Sequence, residues 1–269
     1  MYIKMIGFNH LGKLGRLANQ MFQYASLIGI ADKLGVDYTI PKHNEKYFDG
    51  INNLRIELFD CFDIKPSNVG ELKTGRYIHE NGFHFNKFLF NMNKEPSMSL
   101  YGFFQSEKYF KHVEDKIRKQ FVFKRENIES CERVFENNFE NPISLHIRRG
   151  DYIKLSDNHN VLNLDYYEES LSRFSKDREV IIFSDDTNWC KQQKIFNGSR
   201  FFISECKDPY IDLCLMSMCS DFIIANSSYS WWGAWLANRG KVIAPSKWFG
   251  PANAHLNTKD LYLDSWEVI

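Results

Sequence analysis

The alternation of short apolar runs with amphipathic segments in the second half of the chain constrains its fold most. The apolar runs predict strands at 142–147, 179–186, 200–204, 221–228 and 241–245. The segments between them repeat apolar residues every three or four positions, which predicts helices at 164–175, 187–196, 208–220 and 230–240. Strands that alternate with helices form a parallel sheet covered on both faces. We therefore predict an α/β fold.

The first forty residues show the same alternation of strand and helix patterns. Residues 2–8 predict a strand, and a glycine-containing loop follows it. Apolar residues recur at helical spacing from Leu17 until Gly35, a residue type that commonly ends helices. A second strand at 36–40 completes a strand–helix–strand unit.

The middle of the chain is harder to interpret. Residues 41–97 show weak periodicity, which predicts irregular structure with short helices. A further strand is predicted at 99–105, and a helix at 106–121 with Ser106 as its N-cap. The boundary before the next apolar run gives two predicted domains, residues 1–138 and 139–269.

Composition and charge exclude several function classes. The chain carries 34 Lys and Arg against 34 Asp and Glu, whereas a general nucleic-acid binder normally has a basic excess. No run of about twenty apolar residues predicts a transmembrane helix, and the N-terminus lacks the apolar core of a signal peptide. The six cysteines are scattered without a C-x-x-C pair, which predicts free thiols in a reducing cytosol rather than disulfides.

Polar side chains cluster where four predicted strands end. The clusters are the glycine loop with Asn19, and residues 146–151, 184–186 and 226–230. In open α/β sheets, ligands bind beyond the carboxyl ends of the strands. One polar strand end is usually a solvated loop, but four together predict a binding site.

Two adjacent arginines, Arg148 and Arg149, follow one of these strands. A guanidinium is permanently charged and offers a planar fork of donors, which suits a phosphate or diphosphate. Asp151 would then hold one arginine in position. A purely structural cluster of salt bridges explains these residues equally well at this point, since ion pairs are common in loops.

Serines in 226–230 lie between a strand and the first turn of a helix. Backbone N–H groups and hydroxyls at such a place bind anions, and plain capping by Ser228 or Ser230 is the alternative. The tryptophans that follow are expected in the core. At the end of strand 179–186, a carboxylate such as Asp186 is suited to accept two hydrogen bonds from guanine, or to cap the next helix.

Several common catalytic motifs are absent from the sequence. It has no G-x-G-x-x-G, no P-loop and no G-x-S-x-G. It also has no Cys/His spacing typical of zinc sites and no D-x-D. If a diphosphate leaves from this protein, arginines and helix N-termini must neutralise it.

Five motifs together resemble glycosyltransferase family 11, the bacterial α-1,2-fucosyltransferases. They are GRLANQMFQYA (15–25), LYGFFQSEKYF (100–110), HIRRGDYI (146–153), FSDD (183–186) and NSSYSWWGAWL (226–236). HIRRGDYI matches the H-x-R-R-x-D element shared with α-1,6- and protein O-fucosyltransferases. Ala18 replaces the glycine that the family has before Asn-Gln, a harmless change if φ there is negative.

The resemblance implies a GT-B-like architecture of two Rossmann-like domains facing across a cleft, with residues 1–138 on the acceptor side and 139–269 on the donor side. It implies GDP-β-L-fucose as the donor, a galactose-terminated glycan as the acceptor, and no required metal or other cofactor. The donor-binding residues carried over are Asn19, His146, Arg148, Arg149, Asp186, Ser227 and Ser228. Asp151 is carried over as structural support.

The implied reaction is a single inverting displacement, in which a galactose 2-hydroxyl attacks the anomeric carbon of fucose. Arg148 and the helix start at Ser227 and Ser228 would stabilise the charge that builds on the β-phosphate in the transition state. Asp157 and His159 are the candidate catalytic bases. A solvated-loop role is the alternative for each of them.

The resemblance also implies a cytoplasmic bacterial enzyme of surface polysaccharide or lipopolysaccharide synthesis, with peripheral attachment to the inner membrane left open. Nucleic acid is not an expected partner. Two alternatives remain at this point. One is the same fold with another nucleotide-sugar donor or linkage, and the other is a nucleotide- or glycan-binding protein without catalysis.

Overall fold

The chain divides into two compact units. The computed structural model describes residues 5–43, 46–48, 53–92, 97–135 and 139–269. Unit 1 is Met1–Lys124 with Asn257–Tyr262, and unit 2 is Arg125–Leu256 with Leu263–Ile269. Each unit is built around its own parallel sheet, which confirms the predicted α/β class.

Unit 1 contains a five-stranded parallel sheet and a short antiparallel pair. Its strands are β1 (Met5–Gly7), β2 (Asp37–Ile40), β3 (Lys46–Phe48), β4 (Asn53–Arg55), β5 (Asn68–Val69), β6 (Tyr77–His79) and β7 (Met98–Tyr101). Its α-helices are α1 (Leu17–Leu34), α2 (Leu58–Cys61) and α3 (Glu114–Gln120). The sheet order is β5-β2-β1-β7-β6, and β3 pairs with β4.

Helix α1 ends where the sequence predicts, because Gly35 adopts the left-handed conformation with φ 61°. The helix is buried over most of its circumference, which explains its apolar composition. At Gly29 a Cβ atom would lie 2.0 Å from the carbonyl oxygen of Tyr109, so only glycine allows this approach.

Unit 2 contains a six-stranded sheet in which every pairing is parallel. Its strands are β8 (Ile143–Ile147), β9 (Val180–Ser184), β10 (Phe201–Ile203), β11 (Asp221–Ile223), β12 (Val242–Ala244) and β13 (Glu267–Val268). Its α-helices are α4 (Arg125–Phe135), α5 (Gly150–Lys154), α6 (Leu164–Ser172), α7 (Thr187–Gln192), α8 (Pro209–Met218) and α9 (Ser228–Ala237). The sheet order is β10-β9-β8-β11-β12-β13.

The core of unit 2 forms as its strand pattern predicts. All five residues of β8 are buried, as expected of a central strand covered on both faces. The tryptophans of α9 are core residues: Trp231 and Trp232 are 0% exposed and Trp235 is 2% exposed. Trp232 packs edge-to-face against both of the others.

Several elements differ from the sequence-based prediction, among them helices α4 and α5 and strand β13, which the sequence did not predict. The segment 106–121 is not one helix, because Phe110 (φ −131°) separates two 3₁₀ turns and only α3 is α-helical. Ser106 does cap the first turn, accepting a hydrogen bond from the Lys108 N–H. Helix α9 ends at Asn238, whose left-handed φ of 52° stops the helix before Gly240. The region 41–97 contains a short helix, α2, as predicted, and it also supplies two strands of the first sheet, β5 and β6, which were not predicted.

The two units divide after Lys124. The domain boundary predicted from the sequence lies after residue 138. Residues 136–138 lie outside the described ranges. Helix α4 belongs to unit 2 because it packs on α8, where the Cys131 thiol donates to the Ile211 carbonyl at 3.3 Å. The segment 257–262 returns to unit 1, since Asp260 accepts a hydrogen bond from the Phe85 N–H at 3.0 Å.

The cysteines form no disulfide bond. All six are free thiols, of which five are buried and Cys206 is exposed. Within the described ranges, none of the helices combines the length and the apolar character that crossing a lipid bilayer requires.

Candidate functional site

Three neighbouring strands of unit 2 end at one edge of the sheet and are followed by polar residues. Strand β8 lies between β9 and β11, and the three run in parallel, so their carboxyl ends coincide. The clusters at 146–151, 184–186 and 226–230 therefore meet at this edge. The fourth predicted cluster, around Asn19, lies in unit 1.

Arg148 is held at this edge by two carboxylates. Its Nη1 donates to Asp185, and its Nη2 donates to Asp151 Oδ1 at 2.5 Å. Its Cζ lies 5.0 Å from the ring centroid of Tyr152. The side chain is 29% exposed, so it is fixed in position but still open to a ligand. The two ion pairs use only part of the guanidinium donor fork.

Arg149 has different surroundings from Arg148. Its backbone N–H donates to Asp185 Oδ1 at 2.9 Å, and its Nε lies 3.4 Å from Asp186 Oδ2. Its guanidinium stacks over Trp189 with Cζ 3.9 Å from the ring centroid, a cation–π contact. Arg149 therefore packs on the start of α7, while Arg148 occupies the more open position.

Asp185 links the two arginines, and the sequence analysis did not assign it. One oxygen accepts from the Arg148 side chain and the other from the Arg149 backbone. A Cβ at Gly150 would lie 2.5 Å from Asp185 Oδ2, so glycine is needed for this approach. The adjacent acids of FSDD were the available signal for it.

Asp186 is the N-cap of α7. Its Oδ1 accepts from the Trp189 N–H at 3.1 Å, while its Oδ2 faces Arg149. The capping alternative raised by the sequence is therefore present in the structure. Contact with a guanine base stays a prediction.

The N-cap of α9 is Ser227. Ser227 has an extended backbone (φ −141°, ψ 128°), and its Oγ accepts from the Tyr229 N–H at 3.3 Å. Capping by Ser228 or Ser230, the alternative that the sequence raised, is not observed, because the helix already begins at Ser228. The N-terminus of α9, which carries the positive end of the helix dipole, lies at the polar edge, as an anion site requires.

His146 lies in the interior and is only 5% exposed. Its Nδ1 is 2.9 Å from Ser230 Oγ, a contact that joins β8 to α9. Burial, with a smaller effect from the positive charge of Arg148, lowers the pKa of His146 to about 3. The imidazole is therefore neutral at physiological pH. Its predicted contact with the nucleoside stays a prediction.

The two candidate bases lie in the loop at 155–160, in different surroundings. The His159 ring stacks on Tyr152 with centroids 4.1 Å apart and ring planes 8° apart. Burial lowers the pKa of His159. Asp157 is exposed, and its backbone carbonyl accepts from the Ala252 N–H at 2.8 Å. The structure thus brings His159, but not the Asp157 side chain, against a residue that also contacts Arg148.

In unit 1, Asn19 lies in the first turn of α1. Its Oδ1 accepts from Gln105 Nε2 at 2.8 Å, which orients the amide. Gly15 has φ +76°, and a Cβ there would lie 2.3 Å from Asn19 Nδ2. Ala18 sits inside α1 and is not among the residues with positive φ, so its replacement of the family's glycine causes no backbone strain. The donor contact of Asn19 stays a prediction.

A buried carboxylate already occupies the N-terminus of α1. Glu57, only 5% exposed, accepts from the Leu17 N–H at 2.5 Å and from Arg16 Nε at 2.8 Å. It complements the positive end of the helix dipole. A phosphate at this helix end would meet a negative charge. Sequence reasoning missed Glu57 because it lies forty residues from Leu17, in the region of weakest periodicity.

The carboxylates at the edge of the unit 2 sheet are engaged by protein donors. Asp151, Asp185 and Asp186 each pair with an arginine. In the part of the chain that the structure describes, no group of three or more His, Cys, Asp or Glu side chains is placed to hold a metal ion. That the reaction needs no metal stays a prediction.

Comparison with known proteins places this site in a family. The model of Glycosyl transferase family 11 matches residues 2–269. The O-antigen biosynthesis glycosyltransferase WbnK of Escherichia coli is 35% identical over 80% of this chain and 74% of its own length. An alpha-1,2-colitosyltransferase of Escherichia coli is 36% identical over 94% of this chain and 95% of its own length.

A solved structure shares the fold. The crystal structure of NodZ alpha-1,6-fucosyltransferase soaked with GDP-fucose matches 95% of this chain and 98% of its own, with a TM-score of 0.55 and 13% identity. The fold is therefore of the GT-B type, as the motifs implied. The protein is a glycosyltransferase, and the chain belongs to glycosyl transferase family 11.

Proposed function

We propose that this chain transfers L-fucose from GDP-β-L-fucose to the 2-hydroxyl of a galactoside. The observation that supports it best is the arrangement at one sheet edge of Arg148, fixed but accessible, beside the N-terminus of α9. A diphosphate leaving group needs such preorganised cationic and N–H donors. The fucosyltransferase motifs, and the likeness to a NodZ alpha-1,6-fucosyltransferase whose crystal was soaked with GDP-fucose, support the choice of nucleotide sugar.

The charge balance at this edge indicates how the diphosphate binds. Two arginines face three aspartates, a formal charge of 2 − 3 = −1. Because the diphosphate adds further negative charge, we expect it to replace a carboxylate on Arg148 and not only to use the donors that are still open. Asp151 is the one to move, because its side chain is 55% exposed and such an ion pair contributes only about 0–1 kcal/mol. Asp185 is 25% exposed and also holds the Arg149 backbone, so it stays in place.

In the proposed step, the bond between the anomeric carbon and the β-phosphate oxygen breaks with its electron pair leaving on GDP. The acceptor 2-oxygen forms its bond to that carbon from the opposite face, and its proton passes to a base. Arg148 and the positive end of the α9 dipole, where the helix starts at Ser227 and Ser228, stabilise the charge on the leaving diphosphate, which is larger in the transition state than in the bound donor. The product is α-linked by inversion.

Of the two candidate bases, His159 fits this role better. Burial lowers its pKa, so the imidazole is neutral near pH 7 and ready to take a proton. Its ring lies on Tyr152, which also contacts Arg148. Asp157 is exposed and lacks this connection. A kcat loss in His159→Gln that Asp157→Asn does not share would support His159.

A second donor is favoured by one relative. The chain is 36% identical to an alpha-1,2-colitosyltransferase, and colitose is fucose without its 3-hydroxyl. A site that hydrogen-bonds this hydroxyl rejects the deoxy sugar by about 10⁴-fold or more, whereas an apolar pocket discriminates by about 10²-fold at most. The ratio of kcat/KM for the two donors therefore identifies the substrate.

A donor and acceptor screen tests the proposal. The purified chain is incubated with GDP-L-fucose, GDP-L-colitose or GDP-mannose and a panel of galactosides, and product linkage is read by NMR. We expect an α-1,2-linked fucoside, and slow release of GDP from GDP-fucose without acceptor. A preference for GDP-colitose would identify colitose, and not fucose, as the transferred sugar. Tight binding of GDP-fucose without hydrolysis or transfer would indicate a binding protein instead.

We further propose that the reaction needs no metal and that it takes place in the bacterial cytoplasm, at or near the inner membrane, during surface-glycan synthesis. Arg148 supports the first point, since its guanidinium supplies a positive charge at the diphosphate once Asp151 is replaced. The likeness to an O-antigen biosynthesis glycosyltransferase supports the second. The assignment of residues 1–138 to the acceptor and 139–269 to the donor stays a prediction.

A further inference from the structure

Tyr152 contacts both residues to which the proposed mechanism gives a chemical role. It lies in α5, directly after the arginine pair. One ring contact is the parallel stack on His159 at 4.1 Å, and the other is to the Arg148 guanidinium at 5.0 Å. No step of the mechanism uses the Tyr152 phenol itself.

The phenol is fixed to the sheet by its hydroxyl. Tyr152 donates a hydrogen bond to the Asn226 carbonyl at 3.1 Å, just beyond the end of β11. Burial raises the pKa of Tyr152 to about 12, so the hydroxyl remains a donor across the physiological pH range. The ring is therefore anchored at its polar end while its face meets His159.

The side chain of Asn226 holds the same loop from the other side. Asn226 is 1% exposed, and its Nδ2 donates to the carbonyls of Asn160 and Trp248, each at 2.8 Å. Its buried Oδ1 has no hydrogen-bond partner among the described residues. An unsatisfied buried acceptor is destabilising, so this amide is not optimised for stability alone. One donated bond fixes Asn160, the residue next to His159, and the other ties the same amide to Trp248.

Further contacts restrict the loop to one path. The Gly250 N–H donates to the Asn158 carbonyl at 3.0 Å. A Cβ at Gly250 would lie 2.4 Å from the Ser156 carbonyl oxygen, so the two segments approach as closely as glycine permits. A β-bridge joins His159 to Phe249. The 155–160 loop is thus built into unit 2.

We propose that Tyr152 and Asn226 are positioning residues that hold the His159 imidazole beside Arg148. Tyr152 sets the plane of the imidazole through the stack, and Asn226 sets the path of the backbone that carries it. The inference rests on the proposed function, in which His159 takes the acceptor proton. The positioning itself is observable without catalysis.

The test compares Tyr152→Phe with Tyr152→Ala. Phenylalanine keeps the stack and loses only the hydroxyl, so we expect kcat to fall only a few-fold. Alanine removes the ring, and we expect kcat to fall by about 10²-fold, as for a misplaced catalytic group, with little change in the KM for donor. Asn226→Asp places a carboxylate oxygen against two carbonyl oxygens and should act in the same direction, with a thermal melt as the folding control.

Proton NMR of the His159 ring supplies the readout that a merely structural role would not change. The signals are assigned by their loss in His159→Gln. In Tyr152→Ala they should lose the ring-current shift of the stack, and the pKa of His159 should rise as its burial is reduced. Tyr152→Phe should retain both features. Tyr77→Ala, which removes another tyrosine ring next to a histidine at 5.4 Å, should leave the His159 signals unchanged.

The outcomes separate the inference from the proposed function. If the His159 signals do not change in Tyr152→Ala, the stacking of Tyr152 on His159 is refuted. Shifted signals with wild-type kcat would overturn the role of the stack in catalysis. If the wild type transfers no sugar from any donor in the screen while the NMR behaves as expected, the proposed function fails and the positioning of His159 stands.

Discussion

Replacing Arg148 with alanine removes the group on which the proposed chemistry depends most. The change takes away the cation aimed at the leaving diphosphate and leaves the Asp151 and Asp185 carboxylates without their partner. Loss of one preorganised donor to a developing charge typically costs about 10²–10³ in kcat, or about 2.7–4 kcal/mol. Because the edge also becomes more negative, we expect the larger value.

The fold should tolerate this change. Arg148 is 29% exposed, and exposed or partly exposed ion pairs each contribute about 0–1 kcal/mol to stability. Arg173→Ala is the matched control, since Arg173 also pairs with two carboxylates, Glu169 at 2.9 Å and Glu267 at 3.5 Å, outside the edge cluster. Arg148→Lys keeps the charge without the planar fork and should fall between the wild type and Arg148→Ala.

The assay is GDP release at saturating GDP-fucose and galactoside, with KM and melting temperature measured for each variant. We expect kcat to collapse only in Arg148→Ala, with the melting temperature close to that of Arg173→Ala. Near-normal turnover in Arg148→Ala would refute the reasoning. So would a kcat loss matched by Arg173→Ala, because it would show a general effect of removing an ion-paired arginine.

Two further predictions concern metal and pH. Activity should persist in excess EDTA, measured by the same GDP-release assay, and strict dependence on Mg²⁺ or Mn²⁺ would contradict the assigned role of the arginines. Since burial lowers the folded-state pKa of His146 from 6.5 to about 3, the unfolded state binds the proton first as the pH falls. Stability should then be lost between about pH 6.5 and pH 3, by at most about 1.4 kcal/mol per pH unit. Urea titrations should show a shallower loss over this range in His146→Gln, and equal losses in both proteins would exclude His146 as the cause.

The parallel α/β fold is predictable because strands and helices differ in period over long enough segments. Helix α1 shows this best, with eighteen residues of apolar spacing closed by a left-handed glycine. Strands β5 and β6 have two and three residues, too few to show an alternating pattern. The break at Phe110 involves no proline or glycine. The apolar periodicity therefore predicted one continuous helix across it.

The sequence predicts those residues of the candidate site that lie next to the end of a strand, but not their partners from other strands. Both arginines follow directly from the buried strand β8, as predicted, whereas β11 ends at Ile223 and not at 228, so Ser227 lies beyond it. Asp185 acts through contacts with Arg148 and Arg149, which are 37 and 36 positions away, respectively. The bond between His146 and Ser230 spans 84 positions. Such partners are set by the sheet order, which a single sequence does not reveal.

A crystal structure of this chain with GDP would show directly whether Arg148 and the start of α9 hold the diphosphate. The account predicts diphosphate oxygens within hydrogen-bond distance of the Arg148 guanidinium and of the backbone N–H groups at the start of α9, with Asp151 released from Arg148. A nucleotide bound away from both the 146–151 and the 226–230 segments would contradict it.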